Sequence, residues 1–132
     1  MLSNIRTALV NLYQSGGFAL PIVDENRDDD EPTEFVRFTF VPADNTAASL
    51  GEGGIDRHVG FAQFDITLAT GGGSAIANTK ADELLTLFKR GKKETHNNTV
   101  VKITKSNSTK GHTSGNKYIV PVTVYWQTDI PR

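Results

Sequence analysis

Apolar residues at Ile5, Ala8, Leu9 and Leu12 recur at i, i+3, i+4 and i+7, which places one stripe along a helix. Ser3 stands where a cap is needed and Gly16-Gly17 where the helix must stop, so the pattern predicts a helix over Asn4–Gln14. A second stripe, Ala77, Ala81, Leu84, Leu85 and Phe88, follows Gly71-Gly72-Gly73, with Ser74 as its cap and Gly91 as its end. Its small residues come first and its bulky ones last, as suits a helix lying close to a twisted sheet at one end and filling space at the other.

Elsewhere the period is two. Val36, Phe38 and Phe40 alternate with Phe35, Arg37 and Thr39, and Phe64, Ile66 and Leu68 alternate with Gln63, Asp65 and Thr67. Thr99–Lys105 and Lys117–Trp126 complete the strands, and Phe18–Val23 reads as a short extended piece at the sheet margin. Pro121 lacks the N–H a ladder needs, which predicts an edge or a bulge there. The expected fold is α+β: a mainly antiparallel four- to five-stranded sheet with two helices packed on one face, in the order helix-strand-strand-strand-helix-strand-strand. Residues 24–33, 42–56 and 106–116 read as long loops, mobile in a free subunit, and loops of that length tend to carry function.

At 132 residues the chain is expected to form a single domain over 1–132, with a core large enough to hold without staples. It has no cysteine, which removes disulfides, thiolate metal clusters and a Cys nucleophile. No apolar run approaches the roughly 18 residues that span a bilayer. The N-terminus lacks the basic and apolar regions of a secretory signal, so synthesis in the cytosol is expected, with no membrane partner. The net charge of −1 conceals a segregation. Residues 24–34 carry seven acidic side chains against Arg27 alone, and residues 89–117 carry eight basic ones against Glu94. A solvated loop explains either run alone, but a closed homo-oligomer also sets one copy's acidic surface against the next copy's basic one.

Catalytic chemistry has little to build on. His58, His96 and His112 have no second histidine at metal spacing, and Ser49 and Ser74 lack the G-x-S-x-G elbow. The glycine clusters match neither a dinucleotide fingerprint nor a phosphate loop. Asp28-Asp29-Asp30-Glu31 lacks the EF-hand register. The lysines between Lys89 and Lys110 are not interleaved with aromatics for base stacking, which leaves at most a loose electrostatic contact with nucleic acid. No enzyme activity, cofactor or metal is expected.

An ordered series of segments is more specific than any one of them. Pro21 with the following Asp24-Glu25-Asn26, Glu34-Phe35-Val36-Arg37, Pro42-Ala43, Leu50-Gly51-Glu52-Gly53-Gly54 and Arg57-His58-Val59-Gly60-Phe61-Ala62-Gln63 come first. A glycine-led helix with Ala81-Asp82-Glu83-Leu84 and Phe88-Lys89-Arg90-Gly91 follows, and then Tyr118-Ile119-Val120-Pro121-Val122. In this order and spacing the chain resembles the tail-terminator-like proteins of long-tailed double-stranded DNA bacteriophages, over nearly its whole length.

The resemblance implies a structural virion protein made in the host cytoplasm, forming a ring of usually six subunits at the head-proximal end of the tail. Such a ring caps the tail tube, stops its polymerisation and docks the head-side connector. The implied partners are other copies of the chain, the tail tube protein, the head-side neck protein and, in the lumen, nonspecifically contacted DNA. Asp28, Asp29, Asp30, Leu50, Gly53, Ile55, Arg57, Lys92, Lys93, Lys105 and Lys110 are the residues expected at assembly contacts. The alternatives are another neck component, such as a head-completion or stopper ring, and a nonviral nucleic-acid-binding module. The acidic insertion Asp28–Glu31 and the Asn/Lys-rich stretch 95–116 depart from the simpler family pattern.

Overall fold

The computed structural model describes residues 2–17, 20–24, 34–49, 51, 53–69 and 74–131. Helix α1 (Leu2–Ser15) buries Ile5, Ala8, Leu9, Leu12 and Tyr13, the stripe read from the sequence plus one aromatic. Its last turn is closed by the Ser15 hydroxyl donating to the Leu12 carbonyl at 2.7 Å, and the chain leaves through Gly17 at φ 69°. Helix α2 (Ser74–Leu87) buries Ala77, Ala81 and Leu84, with Phe88 just beyond it, while Leu85 is only partly covered.

Among the described residues seven strands form one sheet: β1 (Ile22–Asp24), β2 (Phe35–Ala47), β3 (Ile55–Ala69), β4 (Lys93–His96), β5 (Thr99–Ser108), β6 (His112–Ser114) and β7 (Lys117–Pro131). Their spatial order is β1-β2-β3-β7-β5-β4, with β6 also on β7. The sheet is therefore larger than the four to five strands expected, and mixed, because β1 runs parallel to β2 while the other pairs are antiparallel. The marginal piece expected over Phe18–Val23 is β1 on the sheet edge, and Phe18 and Ala19 lie outside the described residues.

Two of the expected loops are largely strand. Residues 42–56 are mostly the continuation of β2 and β3, which stay paired out to Ala47 and Asp56. Within 106–116, β5 continues to Ser108 and β6 forms a hairpin with β7. Both added strands, Lys93-Glu94-Thr95-His96 and His112-Thr113-Ser114, are short and polar, so neither shows an apolar alternation. Tight turns create them. Asn97 and Asn98, both at positive φ (49° and 63°), join β4 to β5, and Gly115-Asn116 joins β6 to β7 with Gly115 at φ 61°.

Pro121 is not on an edge. It lies inside β7, paired with Asp65 of β3. Its carbonyl accepts from the Thr109 N–H at 3.1 Å, on the side where the neighbouring strand changes from β5 to β6. A strand residue's N and carbonyl point the same way, so the missing donor falls in that interruption.

Both helices cover the face carrying Val36, Phe38, Phe64, Ile66, Val122 and Trp126, and the buried apolar side chains form one cluster. At its centre Phe64 meets Tyr13, Phe38 and Phe88 with ring centroids 5.8, 5.1 and 4.9 Å away. The Tyr13 hydroxyl donates to the Leu20 carbonyl at 2.8 Å, and burial pushes its pKa up.

Candidate functional site

From Pro42 to Ala47 β2 is exposed, and with the facing half of β3 it forms an arm whose ladder runs out to Ala47 and Asp56. Its tip is held by backbone N–H groups of Ala48 and Ser49 donating to the Ile55 carbonyl (2.8 and 3.2 Å), and by the Ile55 N–H donating to Ser49 Oγ at 2.8 Å. Where the arm leaves the core, two bulges face each other across the sheet, at Pro42/Asp44 in β2 and at Ile103/Lys105 in β5. Between them Gly60 pairs with Trp126. Bulges bend a strand and increase its twist, so a bend is expected along this line, past which the inner face stays buried at His58, Val101 and Thr128.

The face of the sheet away from the helices is built from the alternate side chains. In register from the tip inward, β3 and β7 present Ile55 beside Pro131, Arg57 beside Asp129, Val59 beside Gln127 and Phe61 beside Tyr125. Outward from Tyr125, Lys105 of β5 places its ammonium 5.2 Å from the ring centroid. Next along, Lys102 is the partner of Gln127, and Lys93 of β4 is the partner of Lys102.

Four of the expected contact residues, Ile55, Arg57, Lys93 and Lys105, thus share this face. Gly53 is exposed at the tip, Lys92 just precedes β4, and Lys110 lies in the link between β5 and β6. Asp28, Asp29, Asp30 and Leu50 lie outside the described residues. Arg57 is engaged within its own chain, its Nε and Nη2 donating to Asp129 at 2.9 and 3.2 Å. That bond, helped by the charges of Arg57 and Lys102, holds the Asp129 carboxyl below the usual range. With side chains 44% and 40% exposed, the pair orients the strands more than it stabilises them.

Lys102, Phe61, Tyr125 and Gly60 were missed as site residues. The inward positions of early β3 are His58, Gly60 and Ala62, small or polar, so no apolar alternation marks the strand there. His58 is buried in β3, and His96 and His112 lie in β4 and β6. Among the described residues no group of His, Asp and Glu is arranged to hold a metal ion, and no helix is long and apolar enough to cross a membrane.

Asp65, half-buried on the same face, accepts from Gln63 Nε2 at 2.8 Å. Burial lifts its pKa, and the Gln63 bond and the charges of His112 and Arg37 offset that only in part. The folded chain thus holds this proton more tightly than the unfolded one. The ionised carboxylate weakens the fold at neutral pH, and the penalty vanishes below the unfolded value of about 4. Asp65→Asn should therefore melt higher than wild type at neutral pH, with the difference closing as thermal melts are taken to acid pH. A lower melting point at neutral pH would show that the contacts to Arg37 and His112 outweigh burial.

A family model described as phage tail terminator protein matches residues 4–126. The chain belongs to this family. A tail terminator is a structural component of the bacteriophage virion tail, not an enzyme, and works in contact with other tail and virion proteins. A search of curated proteins gives no match. One solved structure aligns with 98% of this chain and 96% of its own length at TM-score 0.77 and 19% identity, a likeness that shows the fold. This chain's expected contact residues among the described ones gather at the arm tip and on the face and edge that carry the lysines.

Proposed function

We propose that copies of this chain, six in number, close into a ring on the head-proximal end of the tail tube, stop its polymerisation and present the surface on which the head-side connector docks. The family match over residues 4–126 carries this reading. It is supported by an arm that leaves the helix-covered core and ends in exposed residues, including Gly53 and Ile55 at 39% exposure. In this reading the whole chain acts as one domain, is made in the host cytoplasm, and contacts passing DNA only nonspecifically. Electron microscopy of the protein alone and mixed with tail tubes tests it. Rings seated on one tube end are expected, and monomers in both samples overturn it.

The arm tip supplies the contact with the tube or a neighbouring ring. Replacing residues 48–55 by Asn-Gly joins Ala47 to Asp56, the last ladder pair, through a two-residue turn. The variant should keep a melting temperature within about 5 °C of wild type, as expected for a surface change. Tubes assembled with it should run past their normal length. Tubes of normal length that join heads normally would remove the tip from the assembly surface.

A further inference from the structure

Two open strand edges lie at the same height on opposite sides of the sheet. On one side β4 is the last strand. On the other, β1 covers β2 only at Val36, Arg37 and Phe38, and from Pro42 to Ala47 β2 is exposed, with no described strand beyond it. Across the sheet Asp44 pairs with Val59, Val59 with Gln127, Gln127 with Lys102 and Lys102 with Lys93. One row on the face away from the helices thus carries an acid at one open edge and two lysines at the other. The four steps from β2 to β4 span about 19 Å at the usual strand spacing, so Asp44 and Lys93 do not meet within a chain.

Both ends of this row are unbalanced in a lone subunit. Lys93 and Lys102 are direct cross-strand partners, and like charges so opposed are destabilising. Lys102 acts on Asp129, but among the described residues no salt bridge engages Lys93 or Asp44. The backbone is poised in the same way. The Ala48 N–H donates to the Ile55 carbonyl, so by alternation along the strand Asn45 and Ala47 turn their N–H and C=O groups away from β3. The Asn45 N–H is held by Asp44 Oδ1 at 2.8 Å, a local substitute for a ladder bond. The Lys92 carbonyl accepts from the Ile103 N–H, so Lys93 and Thr95 turn their groups away from β5. Four antiparallel steps separate β2 from β4, and the two therefore run in the same direction.

We propose that the β4 edge of one copy adds in parallel to the open edge of β2 in a second copy, with Lys93 beside Asp44 and Thr95 beside Thr46. In this register the ladder uses groups that already face outward: Lys93 bonds between Ala43 and Asn45, and Thr95 between Asn45 and Ala47. The Asn45 N–H passes from Asp44 to the Lys93 carbonyl, which frees the carboxylate for the Lys93 ammonium. The inference rests on the ring reading above and names the contact that closes the ring. Two different edges meeting make a heterologous contact, and because they share height and direction, rotation about an axis along the strands repeats it from copy to copy. A second copy fits better than nucleic acid, because the outward groups are the backbone of a strand and the row that ends in Lys93 begins with an acid. An edge lysine alone guards against indiscriminate pairing. With an acid at the matching height of the other edge, it selects one register.

The test reads ring formation by the full chain, alone and on tail tubes, by sedimentation velocity and electron microscopy. Thr95→Pro removes an N–H that the subunit's own ladder does not use, so its melting temperature should stay within about 5 °C of wild type while rings are lost. Lys93→Glu and Asp44→Lys should each raise the concentration needed for rings about fivefold at low salt, and the two combined should bring it back. Lys93→Glu makes an opposite-charged pair with Lys102, so its melting temperature should not fall, which separates an assembly defect from a folding defect. The chain has no cysteine, so Thr46→Cys with Thr95→Cys in one chain should cross-link assembled copies on oxidation. Rings that form normally in Thr95→Pro, a combined charge variant that stays impaired, or oxidised rings without cross-links overturn the inference and leave the ring reading standing. So does Lys93→Glu that forms rings normally but loses retention of duplex DNA in a gel shift. Wild-type chain that forms no ring alone or on tubes overturns both.

Discussion

Phe64→Ala should cost about 3–5 kcal/mol of folding stability, the range for emptying a buried phenylalanine site. Phe64 has no solvent exposure and touches aromatics from α1, β2 and the end of α2 together, through Tyr13, Phe38 and Phe88. Deleting it leaves three rings facing a void, and the sheet backbone, paired on both sides of β3, limits how far they collapse. For a domain of this length the loss corresponds to a fall in melting temperature of about 15 °C. Thr39→Ala, on the opposite face of β2, should change stability by less than about 1 kcal/mol. Denaturant titration of both variants checks the contrast. A Phe64→Ala loss below about 1 kcal/mol would mean that the helices are not locked onto the sheet as described.

Gly60→Ala should be nearly as damaging, at about 3 kcal/mol, although it adds a single methyl. A Cβ at this position would stand 2.4 Å from the Val41 carbonyl oxygen and 2.6 Å from Cζ2 of Trp126. The indole is held in place by stacking on Phe40, with centroids 5.4 Å apart, and the carbonyl belongs to the β2 backbone at its bulge. Shrinking the ring by Trp126→Phe in the same chain should therefore restore little, since the backbone clash remains. Thermal melts of the single and double variants measure this. Recovery to the wild-type melting temperature would show that Trp126 alone sets the requirement. Because Gly60 lies between the two bulges, any folded fraction of the variant should also carry a misdirected arm and, on the function proposed above, cap tubes poorly.

What could be read from the chain divides by how local its cause is. Both helices were legible, with their stops at Gly17 and Gly91, because a 3.6-residue apolar period needs only the helix's own residues. The centres of β2, β3, β5 and β7 were legible for the same reason, as was the absence of catalytic patterns that agrees with a structural family.

The start of β3 at Ile55 and Asp56 and the continuation of β2 past Val41 were not. At Asp56, Arg57, His58 and Gly60 the strand is kept by ladders to β2 and β7 on both sides, and nothing in its own polarity pattern announces them. The strands β4 and β6 owe their pairing to two-residue turns, and Asn97-Asn98 was a local signal that went unused.

The site divides the same way. The sequence alone showed that charge is segregated into two runs and that an Arg57 and several lysines stand apart from any catalytic motif. Only the tertiary structure decided that Arg57 is spent on Asp129, that Lys93 faces Lys102, and that the acidic and basic runs leave opposite edges of one sheet. Strand order is set by contacts between residues far apart in the chain, such as the pairing of β3 with β7 across the whole of α2, β4, β5 and β6. Such contacts depend on which faces bury best together, a property of the assembled core that no local stretch of sequence contains.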